Sequence, residues 1–254
     1  MARHLEIWLN DMALREVSPL ILIKNLHEKA VQARATFGDI AGLDGQRLID
    51  NRRTAKTITV EFNIRELYDL GARQQIIDSV NRWATDGWLK SSSHPGQRIY
   101  VHATGWPAAE NARTYTDSYT VTFTTGASAY WEDEVPAIWA ATGATGSGTL
   151  ANYGSAEALA FFTVESESVL TSLSVTVGDT QIALTGLSVP ASTQVELWHD
   201  ERGILRIEAG GVSLLSHRTP ASADELIAQP GVNEVAFEAS ASATVRIGVR
   251  GRYR

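Results

Sequence analysis

At 254 residues the chain is long enough to bury a sizeable core, as one large β domain or as two ordinary ones. Its 44% apolar and 20% charged residues are a globular composition rather than a disordered one, and its net charge of -7 argues against general nucleic-acid binding. The absence of cysteine excludes a disulfide framework and a thiolate metal site, and folding in a reducing cytosol is the simplest fit.

No uninterrupted apolar run follows Met1-Ala-Arg-His-Leu-Glu6, so neither a signal peptide nor a membrane span is expected. Leu5, Ile7 and Leu9 alternate with Glu6 and Trp8 and lead to the turn pair Asn10-Asp11. Pro19 to Ile23 reads as a short apolar strand. Gly38-Asp39, Gly42 and Asp44-Gly45 mark a loop or hairpin tip. Arg47, Arg52, Arg53 and Lys56 follow on an extended arm over about 38–57, read as a solvated hairpin arm or as an anion-binding patch. From Thr57 to Ile64, Ile58, Val60, Phe62 and Ile64 share one face of a half-buried strand. The period then changes to that of a helix over about 70–86, with Ala72, Ile76, Val80 and Trp83 or Ala84 on its apolar face. Asp69 is placed to cap its start. Gly87 is placed to end it in a Schellman motif that brings Trp88 onto Trp83.

Arg98 to His102 is a further strand, Gly105-Trp-Pro107 a turn, and Thr114 to Thr125 the clearest strand of all. Between Gly126 and Gly154 the chain turns acidic (Glu132, Asp133, Glu134) and then glycine-rich (Gly143 to Thr149). This predicts an N-terminal domain over 1–135, a linker over 136–153 and a second domain over 154–254. In the second domain, hairpins centre on Gly178-Asp179 and on His199 to Gly203, and strands follow at 235–237 and 245–249. Ser222 to Glu225 reads as the start of a helical turn. Short strands with turns at this spacing point to a β-sandwich, so the chain is mainly β with one helix.

The residues that carry chemistry are sparse. No phosphate-binding glycine loop, nucleophile elbow or dinucleotide fingerprint is present, and the six histidines have no metal-ligand spacing, so no cofactor is expected. Glu165 and Glu167 are the one pair of carboxylates on a shared strand face that suggests glycoside hydrolysis. At the C-terminus Arg246, Arg250, Arg252 and Arg254 share strand parity. They read as a charge-guarded edge or as a surface for an acidic partner.

Taken in order, these features resemble the distal tail protein family of long-tailed, non-contractile bacteriophages. The resemblance rests on Gly42-Leu-Asp-Gly45 before the arginine-rich arm, the Ile58 to Ile64 strand, and the helix ending in Trp83, Gly87 and Leu89. It continues through Arg98-Ile-Tyr-Val101, the aromatic strand into Phe123 and Tyr130-Trp131, Gly231-Val-Asn233 and the closing Arg-Gly-Arg-Tyr-Arg254. It implies a β-barrel-like N-terminal domain that forms a hexameric ring and a galectin-like β-sandwich C-terminal domain. It also implies a structural, non-enzymatic role in the virion, at the tail tip or baseplate, after assembly in the host cytoplasm. The implied partners are five further copies, the tail tube protein, the tail-tip hub and, in some relatives, a receptor-binding protein. Nucleic acid and membrane are not among them. A closed ring needs two different patches that meet around the axis, and the Arg47 to Lys56 arm facing Glu132, Asp133 and Glu134 is one such pairing. The alternatives are a free-standing galectin-like carbohydrate-binding module and, on Glu165 and Glu167 alone, a glycan-cleaving enzyme.

Overall fold

Alternating β-branched and polar residues run through most of the chain, and in the computed structural model they form antiparallel strands. It describes residues 5–29, 33–39, 46–53, 55–65, 69–107, 118–126, 128–200 and 202–253, with backbone alone over 33–39 and 46–53. The chain is mainly β and divides into two units, residues 1–129 and 130–254.

The first unit contains β1 (Ile7–Leu9), β2 (Met12–Ala13), α1 (Leu14–Val17), β3 (Ile21–Glu28), β4 (Ala33–Asp39), β5 (Gln46–Arg53) and β6 (Thr57–Ile64). They are followed by α2 (Leu70–Trp83), β7 (Gly87–Ser91), β8 (Gln97–Gly105) and β9 (Tyr119–Thr125). Its main sheet runs β2-β1-β7-β8-β9-β6-β3, while β4 and β5 form a separate two-stranded sheet. Asn10 and Asp11 join β1 to β2 with φ of 50° and 66°, the left-handed pair that a two-residue hairpin of this twist requires. On β6, Ile58, Val60, Phe62 and Ile64 all point into the core, as their period of two demands. Burying each such side chain stabilises the fold by roughly 1.5–3 kcal/mol before entropy is counted.

The Asp69 carboxylate caps α2 by accepting from the Gly71 and Ala72 amides at 2.8 and 3.0 Å. The rest of the helix differs from expectation. Its buried face carries Arg73, Ile77, Val80 and Trp83, so Ile77 rather than Ile76 is the inward residue. Trp83 lies edge-on to Phe123, with ring centroids 6.2 Å apart, and its indole N–H donates to the Met12 carbonyl at 3.0 Å. The helix stops at Trp83 without the Schellman closure, and Gly87 instead opens β7. A Cβ there would lie 2.0 Å from the Asn10 Oδ1, and that Oδ1 accepts from the Trp88 amide at 3.0 Å. Close approach, not a helix stop, is what requires glycine at this position. A second, four-residue helix, α1, buries Leu14.

The second unit contains β10 (Trp131–Asp133), β11 (Ala137–Asn152), β12 (Ala158–Ser166), β13 (Leu170–Val177), β14 (Thr180–Val189) and β15 (Gln194–His199). After these come β16 (Leu205–Ala209), β17 (Val212–Ser213), β18 (Ile227–Ala228), β19 (Gly231–Val249) and β20 (Arg252–Tyr253). The sheet order is β14-β13-β19-β12-β15-β16-β17. β19 pairs with β13 through Val235–Ala239 and with β12 through Ala243–Val249, so the sheet curls and its inner side chains close on one core. The two short strands expected at 235–237 and 245–249 are thus one strand of 19 residues. The Ala-Ser-Ala-Ser-Ala stretch between them contains no breaker.

The segment expected as a linker is β11, which pairs with β19 from Ala137 opposite Val249 to Asn152 opposite Gly231. Two of its glycines, Gly146 and Gly148, serve packing. A Cβ on Gly146 would lie 2.5 Å from the Phe237 ring, and one on Gly148 would lie 2.2 Å from the Trp139 indole nitrogen. The two rings cover bare backbone with their centroids 6.1 Å apart. The helical turn expected at Ser222 to Glu225 is absent because the Ser222 hydroxyl accepts from the Ala183 amide at 2.9 Å and its own amide donates to the Thr219 carbonyl at 3.0 Å.

Candidate functional site

The arginine-rich arm is β5. Arg47, Arg52 and Arg53 sit opposite Gly38, Arg34 and Ala33 in a ribbon whose side chains lie outside the described residues. Lys56, grouped with them on sequence, is different in kind: it is 8% exposed and forms an ion pair with Glu28. The other Glu28 oxygen lies 3.3 Å from the His94 Nε2. Burial holds His94 below its ordinary pKa, partly opposed by Glu28 and reinforced by Lys56. The Lys56 amide donates to the Thr125 hydroxyl, and its carbonyl accepts from the Thr125 amide, both at 2.9 Å. Lys56 therefore locks the end of the ribbon to the sheet and is no part of an exposed anion patch. Its position next to polar Thr57 at a strand start does not reveal this.

Glu132, Asp133 and Glu134 meet the C-terminal arginines inside the second unit. Asp133 accepts from the Gly251 amide at 3.1 Å and from the Tyr253 hydroxyl at 3.0 Å. Arg250 donates to the backbone carbonyls of Asp133 (3.0 Å) and Glu134, and its Nε lies 4.0 Å from Glu132. Burial pulls the Arg252 guanidinium below its ordinary value, against the pull of Glu132, Glu225 and Tyr130. The same burial, with Asp133 beside it, raises the Tyr253 phenol. The shared parity expected of the arginines breaks at Gly251, where the chain leaves β19 and turns back onto β10. A Cβ on Gly251 would lie 2.5 Å from the Asp133 carboxylate. Arg246 alone keeps the outward, exposed position on β19; Arg254 lies outside the described residues. Nor does this stretch guard an edge, since β19 has strands on both sides. Much of the basic surface expected for an acidic partner is taken up by acids of the same chain. The second unit has fifteen Asp and Glu against seven Arg and no lysine.

Glu165 and Glu167 are both exposed at the end of β12 and do not face each other across a cleft. Among the described residues no three His, Asp or Glu side chains group to hold a metal ion. Two surfaces escaped the sequence reading. On β7 and β8 the Arg98 guanidinium lies 3.8 Å from the Trp88 ring centroid, Trp88 meets Tyr100 edge-on at 5.3 Å, and Tyr100 meets His102 at 5.5 Å. His102 in turn lies 2.8 Å from Asp86, which holds that carboxyl below the usual range. The spacing of Arg98, Tyr100 and His102 by two was the available signal. In the second unit an open cleft of about 410 Å³ lies over β15 and β16, lined by Ser192, Thr193, Gln194, Glu196, Glu208 and the Gly210-Gly211 turn.

No family model and no curated protein sequence matches the chain. Among solved structures it is similar to the SPP1 Dit (gp 19.1) protein, described as a paradigm of the hub adsorption apparatus in Gram-positive infecting phages. The identity is 13%, the TM-score is 0.70, and the match covers 97% of this chain and 98% of that one. The chain has the Dit fold. Weaker likenesses are to chains of the phage p2 baseplate in its activated conformation. With Sr the identity is 9%, the TM-score 0.48 and the coverage 97% of each chain; with Ca they are 10%, 0.49, and 99% and 98%. In this Dit-like chain the Asp133 loop is engaged by Arg250, Gly251 and Tyr253, and the basic arm is β5.

Proposed function

We propose that the chain is a structural protein of a phage tail tip, a Dit-like distal tail protein. It forms a hexameric ring that joins the tail tube to the host-adsorption apparatus. The observation that carries this reading is the end-to-end correspondence with SPP1 Dit, over 97% of one chain and 98% of the other. A two-stranded ribbon such as β4–β5 is marginal in water alone, which supports a role in lying against a neighbour, with Arg47, Arg52 and Arg53 supplying cations. With Asp133 engaged by Gly251 and Tyr253, the acidic complement of the arm is sought beyond that residue. The expected partners are further copies of the chain, the tail tube protein, the tail-tip hub and, on the second unit, a receptor-binding protein. The protein works in the virion, after assembly in the host cytoplasm, and catalyses nothing.

Light scattering with negative-stain images of the same peak tests the reading. A hexamer with a central hole is expected. A protein that stays monomeric alone and when mixed with tube and hub proteins would overturn it. Reversing charge at Arg52 and Arg53 should break the ring; an intact ring removes the arm from the interface. One observation favours a second reading, a glycan-binding module: the polar cleft over β15 and β16. A rise in melting temperature with a defined oligosaccharide, in a protein that forms no ring, would carry that reading instead.

A further inference from the structure

Two edges of the second unit, β14 and β11, are treated differently. The β14 edge is covered: the Thr219 and Ala223 amides donate to the Ala183 and Gln181 carbonyls at 2.9 and 2.8 Å, and the Ser222 hydroxyl accepts from the Ala183 amide. The β11 edge is bare. Among the described residues its 16-residue strand makes no backbone hydrogen bond except to β19. Edge strands are ordinarily guarded by charge, proline or bulges. β11 has no charged residue and no proline, and its one bulge, between Gly143 and Thr145, divides it into two halves of ordinary strand length.

The side chains beside this edge are arranged end to end. On the outward face, Arg246 lies opposite Ala140 near one end, and Glu238 and Glu234 lie opposite Thr145 and Thr149 toward the other. Exposed apolar groups mark the same two ends: Ile138, 56% exposed, and Val232, 75% exposed and opposite Ala151. From these placements we infer that β11 pairs antiparallel with β11 of a second copy, about a twofold axis near Ala144. Such an axis is isologous, so each feature meets its opposite number. It sets Ile138 of one copy against Ala151 and Val232 of its partner, and the Arg246 end of one against the Glu234 and Glu238 end of the other. Parallel pairing would instead set like charge against like. The two β19 backbones would be three strand spacings apart, about 14 Å. The small Ala140, Ser147 and Thr149 leave room for the long side chains to lean over β11 toward each other. The absence of charge on β11 itself removes the usual repulsion between identical edges.

The pairing uses the second unit alone and is separate from a ring built through the first. Because the chain has no cysteine, Ala144→Cys is a clean probe in the full-length protein. Close to the axis, it should give a disulfide-linked dimer under mild oxidation, while Gln181→Cys on the covered edge should not. Ala144→Lys should place lysine against lysine and halve the mass seen by light scattering, or return paired rings to single rings, with the melting temperature unchanged. A folded Ala144→Cys protein that does not cross-link, or an Ala144→Lys protein of unaltered mass, overturns the pairing. Loss of the ring with cross-linking retained would overturn the tail-hub reading and leave this one standing.

Discussion

His199 ends β15 in step with Val195 and Leu197, whose side chains are buried, so its imidazole also points inward, and its Nε2 has no hydrogen-bond partner. Burial, with Arg252 beside it and only Asp200 opposing, lowers its pKa from 6.5 to about 4. The fold therefore favours the neutral ring. Below pH 6.5 the unfolded chain takes up a proton that the folded chain refuses, so stability is full above pH 6.5 and falls as pH drops toward 4. The expected outcome is a melting temperature that falls between pH 7 and pH 4.5 in the parent and falls less in His199→Gln. Equal losses in the two proteins would show that other groups control the acid limb.

Among the elements, β10 and β20 matter out of proportion to their length. Each has two or three residues, yet they tie the first strand of the second unit to its last through Trp131 opposite Tyr253 and Glu132 opposite Arg252. Asp133 is the fastening, since its two oxygens hold the Gly251 amide and the Tyr253 hydroxyl. Asp133→Asn keeps the shape and removes the charge. Its expected cost is about 1–3 kcal/mol of stability, the range for unmaking a charged, partly buried hydrogen-bond acceptor. The Tyr253 phenol should also ionise at lower pH than in the parent, because the carboxylate that opposes phenolate is gone. Chemical denaturation and a spectrophotometric alkaline titration measure the two effects. An unchanged midpoint would mean that Arg250 and the strand pairing suffice.

For the whole molecule, the division at 129/130 and the separate core of the second unit predict that residues 130–254 fold when expressed alone. Their two ends are held together through the pairing of β10 with β20. A single cooperative thermal transition with β-type circular dichroism is expected. A molten chain without one would place the stability of this unit in the first.

Local sequence determined the elements whose signal is a short repeat or a single hydrogen bond. The alternation from Ile58 to Ile64, the Asp69 cap, the Asn10-Asp11 turn and the hairpin at Gly178 follow from side-chain period and backbone preference, which act within a few residues. The candidate site was legible only as composition: a run of acids, a run of arginines and an arm. Tertiary structure alone decided that Asp133 and Tyr253, 120 residues apart, face each other. It alone buried Lys56 on Glu28, and it set Gly87 against Asn10 rather than at a helix stop. It also set Gly146 and Gly148 in a strand, where what they accommodate is the aromatic rings of Phe237 and Trp139. A glycine signals only that no side chain fits or that none is wanted. Which of these holds depends on what the rest of the chain brings to that point in space.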